Sequence, residues 1–403
     1  MMSYLLIFLF LTSIFCNVAF GLGPNLYPLR LILPVTLLYF SVLFFQKTIL
    51  LREKLQINLI VLLSILFFLY SFLQTSIVSY LRFDLFGAHY ELNAILNYAF
   101  LAGLTVTIYL IIITKKDLFF KQIKYSILLF YFAYTLYAIY EIISGHHLST
   151  SDLVDAPWWM RHVPTVVYFN SNDFAAVFTM MFMFLLSSFD KDKTQKAFFI
   201  LAIFTVHILI IYYSQSRLAL IMSLLFFIYR YPYNIFKLIG LSLLGVLFFW
   251  IFSNDSSFMQ TLDSFVALKD DLRFSERQST SVRLYLYKYA LISPLSNFGL
   301  GFGIDYSAEY FRTINDANLH NIINPHSYIL ELLINSGVLV VLFNISINAI
   351  LLVRNWSNKN YDLFVQIIIY NLLLFSSSSS IFLWPIYLFF IVYICKTSHK
   401  STT

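Results

Sequence analysis

Charged side chains are scarce in this 403-residue chain: Asp, Glu, Lys and Arg together make up 11% of it, too few to cover a water-soluble surface of that size. Cysteine is scarcer still. Its two copies, Cys16 and Cys395, both fall inside apolar runs, which excludes a disulfide framework and a CxxC metal site. Glycine, at eleven copies, is too sparse for a glycine-rich linker, and the one place where it concentrates, Gly299, Gly301 and Gly303, has no strand before it and so is not a dinucleotide fingerprint. There is no repeat of fixed period and no low-complexity tract except Ser376 to Ser380. The first 22 residues have neither a basic leader nor a clean small-x-small cleavage site, and read as a retained first span.

What fills the chain is hydrocarbon. Apolar residues make 60% of it and aromatics 19%, with a mean hydropathy of +0.78, and this describes a polytopic all-α membrane protein. A hydrocarbon core ~30 Å thick asks for about 20 mainly apolar residues per helix. That ruler predicts about twelve transmembrane helices, at 3–22, 31–46, 57–78, 93–114, 125–144, 172–189, 197–213, 218–229, 238–253, 327–353, 362–377 and 381–395, in one integral membrane domain covering 1–403. The eighth is short, since Arg217 and Arg230 bracket it. The alternative, one long helix over 197–229, would invert everything downstream, and charge rejects it. With twelve spans and an inside N-terminus, Lys47, Arg52, Lys54, Lys115, Lys116, Lys121, Lys124, Lys191, Lys193, Lys196, Arg230, Lys237, Arg354, Lys359, Lys396 and Lys400 all collect on the cytoplasmic side, nearly all in short loops where positive residues set orientation. Both termini are then cytoplasmic. The net charge of +6 reports this topology and points to no nucleic acid.

Two substantial loops remain, both predicted outside: 145–171, with Trp158, Trp159 and Arg161, and the larger 254–326, with an amphipathic stretch at 258–268 and a helix at 281–292 opened by the cap-like Ser279, Thr280 and Ser281. Arg217 stands at the outer membrane edge beside Ser214, Gln215 and Ser216. It either snorkels to the headgroups or offers its forked guanidinium to phosphate oxygens. An arginine that interrupts an apolar run is by default a functional-site hypothesis. Arg283 lies on the predicted outer helix with Tyr287 one turn on; it is either a solvated helix face or a second phosphate ligand. Two such arginines could clamp a pyrophosphate without a metal or cofactor. The three clustered glycines permit positive φ or close backbone approach, and read as a specified loop or as a plain turn. His326 starts the tenth span just after Pro325, where an imidazole can act as general base or merely cap; His320 is a second candidate, and Glu331 could orient His326 or merely face the bundle interior. His207, at mid-depth, reads as a packing residue.

Four pieces in order, over roughly residues 160–345, resemble the O-antigen ligase and polysaccharide polymerase superfamily of multispan bacterial glycosyltransferases. They are Phe169-Asn170-Ser171-Asn172-Asp173, where proline is common in place of Ser171; Ser214-Gln215-Ser216-Arg217; Arg283 followed by Asn297 to Gly303; and His326 with Gly337 eleven residues later. That last spacing favours His326 over His320. The resemblance implies a glycosyltransferase C-type helical bundle with its large extracytoplasmic loop between spans nine and ten, in the bacterial cytoplasmic membrane. It implies a glycan carried on polyprenyl pyrophosphate outside the membrane, transferred with inversion and without a metal to an acceptor glycan hydroxyl. Residues matching Arg217 and Arg283 would bind the pyrophosphate and the one matching His326 would activate the acceptor. Arg161, Asn170, Asn172, Ser216, Tyr287, His320 and Glu331 are supporting candidates.

Within that family the sequence leans towards a polymerase for a capsule, O-antigen or teichuronic-type polysaccharide, with a ligase of finished polymer as the alternative. Other polysaccharide-assembly proteins are expected partners. A lipid-linked oligosaccharide flippase is a reading of another class. It calls for polar residues along a path through both leaflets, whereas here the polar groups crowd the outer face.

Overall fold

The computed structural model describes residues 2–16, 28–50, 59–81, 88–156, 161–188, 197–231, 239–240, 279–303, 306–314, 327–376 and 384–399. The described residues form helices and turns with no strand. In chain order the helices are α1 (Met2–Cys16), α2 (Pro28–Phe45, running into a π-helical turn at Gln46–Leu50), α3 (Leu59–Leu81), α4 (Ala88–Ser144), α5 (Ser171–Ser187), α6 (Ala197–Tyr213) and α7 (Arg217–Arg230). They continue with α8 (Ser279–Ile292, followed by a 3-10 turn at Ser293–Ser296), α9 (Tyr306–Thr313), α10 (Tyr328–Ser357), α11 (Tyr361–Ser376) and α12 (Trp384–His399). Each predicted span overlaps one of these helices except the ninth, nearly all of which lies outside the described residues together with the amphipathic stretch at 258–268. Three described segments are long and apolar enough to cross a membrane, Pro28–Thr48, Ala99–Ser144 and Tyr328–Ser357.

Helix α4 is two helices that meet across a kink at Lys115 (φ −145°, ψ 51°), directly after the predicted end of the fourth span. The rest of the expected loop, 116–124, is helical: between Gly103 and Gly145 there is neither glycine nor proline, and Lys, Gln and Leu are good helix formers. Between α6 and α7 the chain turns instead. Gln215 takes a left-handed φ of 59° and the helix stops. His207 then bonds Ser223 (2.9 Å) and Phe204 stacks on Phe227 (3.8 Å), pairings centred on residue 215 that define an antiparallel hairpin. The long fused helix over 197–229 does not form.

Helix α5 is the axis of the molecule. Every residue from Asp173 to Leu186 is buried, which is how a helix apolar on all faces satisfies itself. Thr179 of α5 meets Ser223 of α7, and Arg230 at the end of α7 donates to the Ser187 carbonyl at the end of α5, so the two run parallel. Helices α10 and α11 form a hairpin about Asn358–Asn360, tied by Asn371 to Asn348 (3.2 Å). Asn348 also bonds Asn344. His207 is therefore not nearly alone at mid-depth, as the sequence suggested: this asparagine ladder shares the interior, its amides spent on helix–helix contact.

These contacts sort the helix ends. At one end meet Lys47 with the Thr114 carbonyl, Arg230 with Asp362, Ser187 with Gln366, and Asn355 with Thr397. At the other end are the starts of α5, α7, α10 and α12, the last two touching through Tyr328 and Tyr387. The segment 145–171 and the glycine loop also belong there.

Candidate functional site

Asn170 builds the start of α5. Its Oδ1 accepts from the Asp173 backbone N–H (2.9 Å) and its Nδ2 donates to Asp173 Oδ2 (2.9 Å), a reciprocal cap that leaves Asn172 half-buried in the first turn. Behind it, segment 145–171 folds over a buried carboxylate. Glu141 Oε2 accepts from the backbone N–H groups of Thr165 (2.9 Å) and Val166 (2.8 Å), while Oε1 lies 2.9 Å from His147 Nδ1. The far nitrogen of His147 meets the Arg161 carbonyl at 2.7 Å, so both ring nitrogens face acceptors. Arg161 donates Nε–H to the Ala156 carbonyl (2.7 Å) and is thus engaged in holding its own loop. Burial pushes the Asp152 carboxyl up, against the pull of a backbone hydrogen bond and of His147. The described parts of this loop are packed, and the Glu141–His147–Thr165 network that packs them was not singled out from the sequence; the signal was there, a carboxylate five residues before a histidine pair at a helix end.

Arg217 is the first residue of α7 and its side chain is exposed. The turn that presents it is made by Gln215 in the left-handed region and by buried Ser216, whose carbonyl accepts from Leu220 N–H (3.0 Å). The guanidinium therefore stands at a helix N-terminus, where unsatisfied N–H groups add to its attraction for anions.

Helix α8 carries Arg283, placed here by its backbone. Half-buried Tyr287, one turn on, stacks edge-on against Phe375 at the end of α11 (6.0 Å), which brings α8 to the same end of the bundle as Arg217. His326 and His320 lie outside the described residues. Ser327, next to His326, is buried at the N-cap position of α10 at that same end, and Glu331 is buried in the first turn. The structure so gathers Arg217, α8 and the start of α10 at one end of the molecule.

The glycine loop and the tenth span, separate signals in the sequence, are one interlock. Helix α10 breaks at Gly337 (φ 85°, ψ −179°). The loop then repairs the break: Phe302 N–H donates to the Ile334 carbonyl (2.7 Å), Gly303 N–H to Asn335 (3.0 Å), and Val338 N–H to the Gly299 carbonyl (2.8 Å). Contact is backbone on backbone. A Cβ at Gly301 would fall 2.6 Å from the Asn335 carbonyl oxygen, and one at Gly337 2.3 Å from that of Gly299. Gln74 of α3 adds a bond to the Leu300 carbonyl.

Other features lie elsewhere. A cavity of about 490 Å³ bordered by Asp117, Ser187, Asp362, Gln366 and Lys396 sits at the opposite end. His207 stacks on Phe182 (4.0 Å) as a packed interior residue. Among the described residues no three His, Cys, Asp or Glu side chains cluster as metal ligands would.

Residues 197–345 match the family model described as O-Antigen ligase. That segment runs from α6 into α10 and contains the Arg217 turn, α8, the glycine loop and the helix break. The chain is also similar to the Teichuronic acid biosynthesis protein TuaE of Bacillus subtilis (strain 168), 27% identical over 253 residues, which are 61% of this chain and 52% of that protein. It thus spans about half the length of that curated relative.

Proposed function

From the premise that this chain carries an O-antigen ligase family segment over residues 197–345, we propose that it is a polysaccharide polymerase. In this reading it crosses the bacterial cytoplasmic membrane twelve times and moves a glycan from polyprenyl pyrophosphate to an acceptor sugar hydroxyl on the outer face. One observation carries the proposal: Arg217, the backbone of α8 and the start of α10, dispersed over more than a hundred residues of the family segment, lie at one end of the bundle, opposite Arg230 and Lys359. Arg217 at its helix start, with Arg283 on α8, would hold the diphosphate leaving group by forked, charge-assisted bonds. His326 would take the proton of the incoming hydroxyl. A nucleotide sugar is not available on that face, so the donor is lipid-anchored. The likeness to a teichuronic acid biosynthesis protein favours, among the capsule, O-antigen and teichuronic-type polymers, the last.

Purified protein in detergent, given lipid-linked repeat units, should lengthen them. Absence of polymer there, with transfer of lipid-linked units across vesicle bilayers, would turn the reading into a flippase. Between polymerase and ligase the deletion strain decides: single repeat units accumulate in the first case, unattached long chains in the second.

A further inference from the structure

The first half of α10, residues 328–336, has two apolar faces with different partners. Tyr328 and Leu332 pack into the main bundle core. Leu330, Leu333 and Ile334 pack into a second cluster with Leu286 and Ala290 of α8 and with Phe302 and Phe311. Residues turn by about 100° each along a helix, so Glu331 and Asn335, four apart, share an arc between Ile334 on one side and Tyr328 and Leu332 on the other. Ser327 holds the N-cap position above them. The arc falls in the seam between the bundle and the layer formed by α8, the glycine loop and α9.

Two polar groups along it, on Ser327 and Asn335, keep hydrogen-bonding capacity that protein does not use. Ser327 Oγ and Asn335 Nδ2 are fully buried and have no partner, and Ser327 makes no side-chain cap bond. The orientation of the Asn335 amide is determined chemically: the Ser307 backbone N–H (2.9 Å) can meet only its oxygen, which leaves the NH₂ as the idle group. Buried polar groups without partners are uncommon in folded proteins and call for a cause.

We propose that Ser327, Glu331 and Asn335, along the seam between bundle and outer layer, form a track that binds sugar hydroxyls of the lipid-linked glycan. This rests on the glycan-transfer reading. The chemistry selects a polyol: hydroxyls donate to the carboxylate and to Ser327 and accept from the Asn335 amide, whereas an acidic arc repels pyrophosphate. The positions step by about 6 Å along the axis, comparable with a sugar ring. The interlock at Gly337 holds this half-helix in register with the glycine loop.

The test uses full-length protein in nanodiscs and measures the dissociation constants of two probes: lipid-linked saccharides extracted from the cells that make the protein, and sugar-free undecaprenyl diphosphate. Ser327→Ala removes one hydroxyl. Asn335→Asp removes the idle donor and keeps the oxygen that Ser307 needs. Each variant should weaken saccharide binding about tenfold, the scale of one lost hydrogen bond, and leave the sugar-free lipid within twofold of wild type. Unchanged saccharide affinity in both variants, while wild type prefers the saccharide-bearing probe, overturns the track alone and makes the seam a site for buried water. Equal loss of both probes also overturns it, as a general effect on folding. Wild-type protein that binds neither probe overturns the glycan-transfer reading, and the track with it.

Discussion

Arg217 separates two explanations by its chemistry. Lysine can snorkel as well as arginine but cannot fork onto two phosphate oxygens. Arg217→Ala is expected to abolish polymer formation with expression and membrane insertion intact. Arg217→Lys should restore little if the contact is to phosphate and most of the activity if the side chain only reaches headgroups. Arg283→Ala should behave as Arg217→Ala does, and near-normal polymer from either variant removes that residue from the site. For His326→Ala the turnover number should fall by about 10²- to 10⁴-fold, the usual worth of a general base; a loss confined to KM would make the imidazole a binding group.

At the scale of elements, the weight falls on the break in α10. Gly337 needs a positive φ, and a Cβ there would overlap the Gly299 carbonyl. Gly337→Ala is therefore expected to cost several kcal/mol, more than the ~1 kcal/mol of an ordinary backbone substitution. Gly103, inside α4, would place its Cβ at 3.4 Å from the Leu33 side chain, an ordinary contact. Gly103→Ala should be neutral or gain up to about 1 kcal/mol. Thermal unfolding of the two variants in detergent checks the contrast, and equal melting temperatures would dismiss the interlock. The glycine cluster is visible as unusual in the sequence, and Gly337 only as a spacing marker to His326. That they touch was not, because two positive-φ positions 36 residues apart carry no sign of each other until the backbones meet.

For the whole molecule the sorting of ends makes a topological prediction. Phe298, 97% exposed on the glycine loop, and Lys359, exposed in the α10–α11 turn, stand at opposite ends. In a background with Cys16 and Cys395 replaced, Phe298→Cys should react with an impermeant thiol reagent on intact cells and Lys359→Cys only after permeabilisation. The same pattern for both positions would refute the proposed orientation. The Arg230–Asp362 pair ties the basic ends of α7 and α11. Asp362→Asn leaves a buried guanidinium less well paired and should cost on the order of 2 kcal/mol, read as a lower unfolding temperature.

Composition and hydrophobic run length alone determined that this is a helical membrane protein, because an apolar chain in lipid must satisfy its backbone within each segment. The charge pattern alone rejected a continuous helix over 197–229, and the α6–α7 hairpin agrees with it. The break at Lys115 falls where the hydrophobic run ends, whereas the helical state of the polar stretch after it is not legible, since such a stretch looks like a loop when the neighbours that hold it helical are out of sight. Tertiary structure decided the rest: that Asn170 caps α5, that Arg161 closes its own loop, that asparagines ladder the interior, and that the glycine loop completes a broken helix. Each depends on which groups meet across the fold, and hydrogen bonds between distant segments leave no periodicity in the chain for a reader to find.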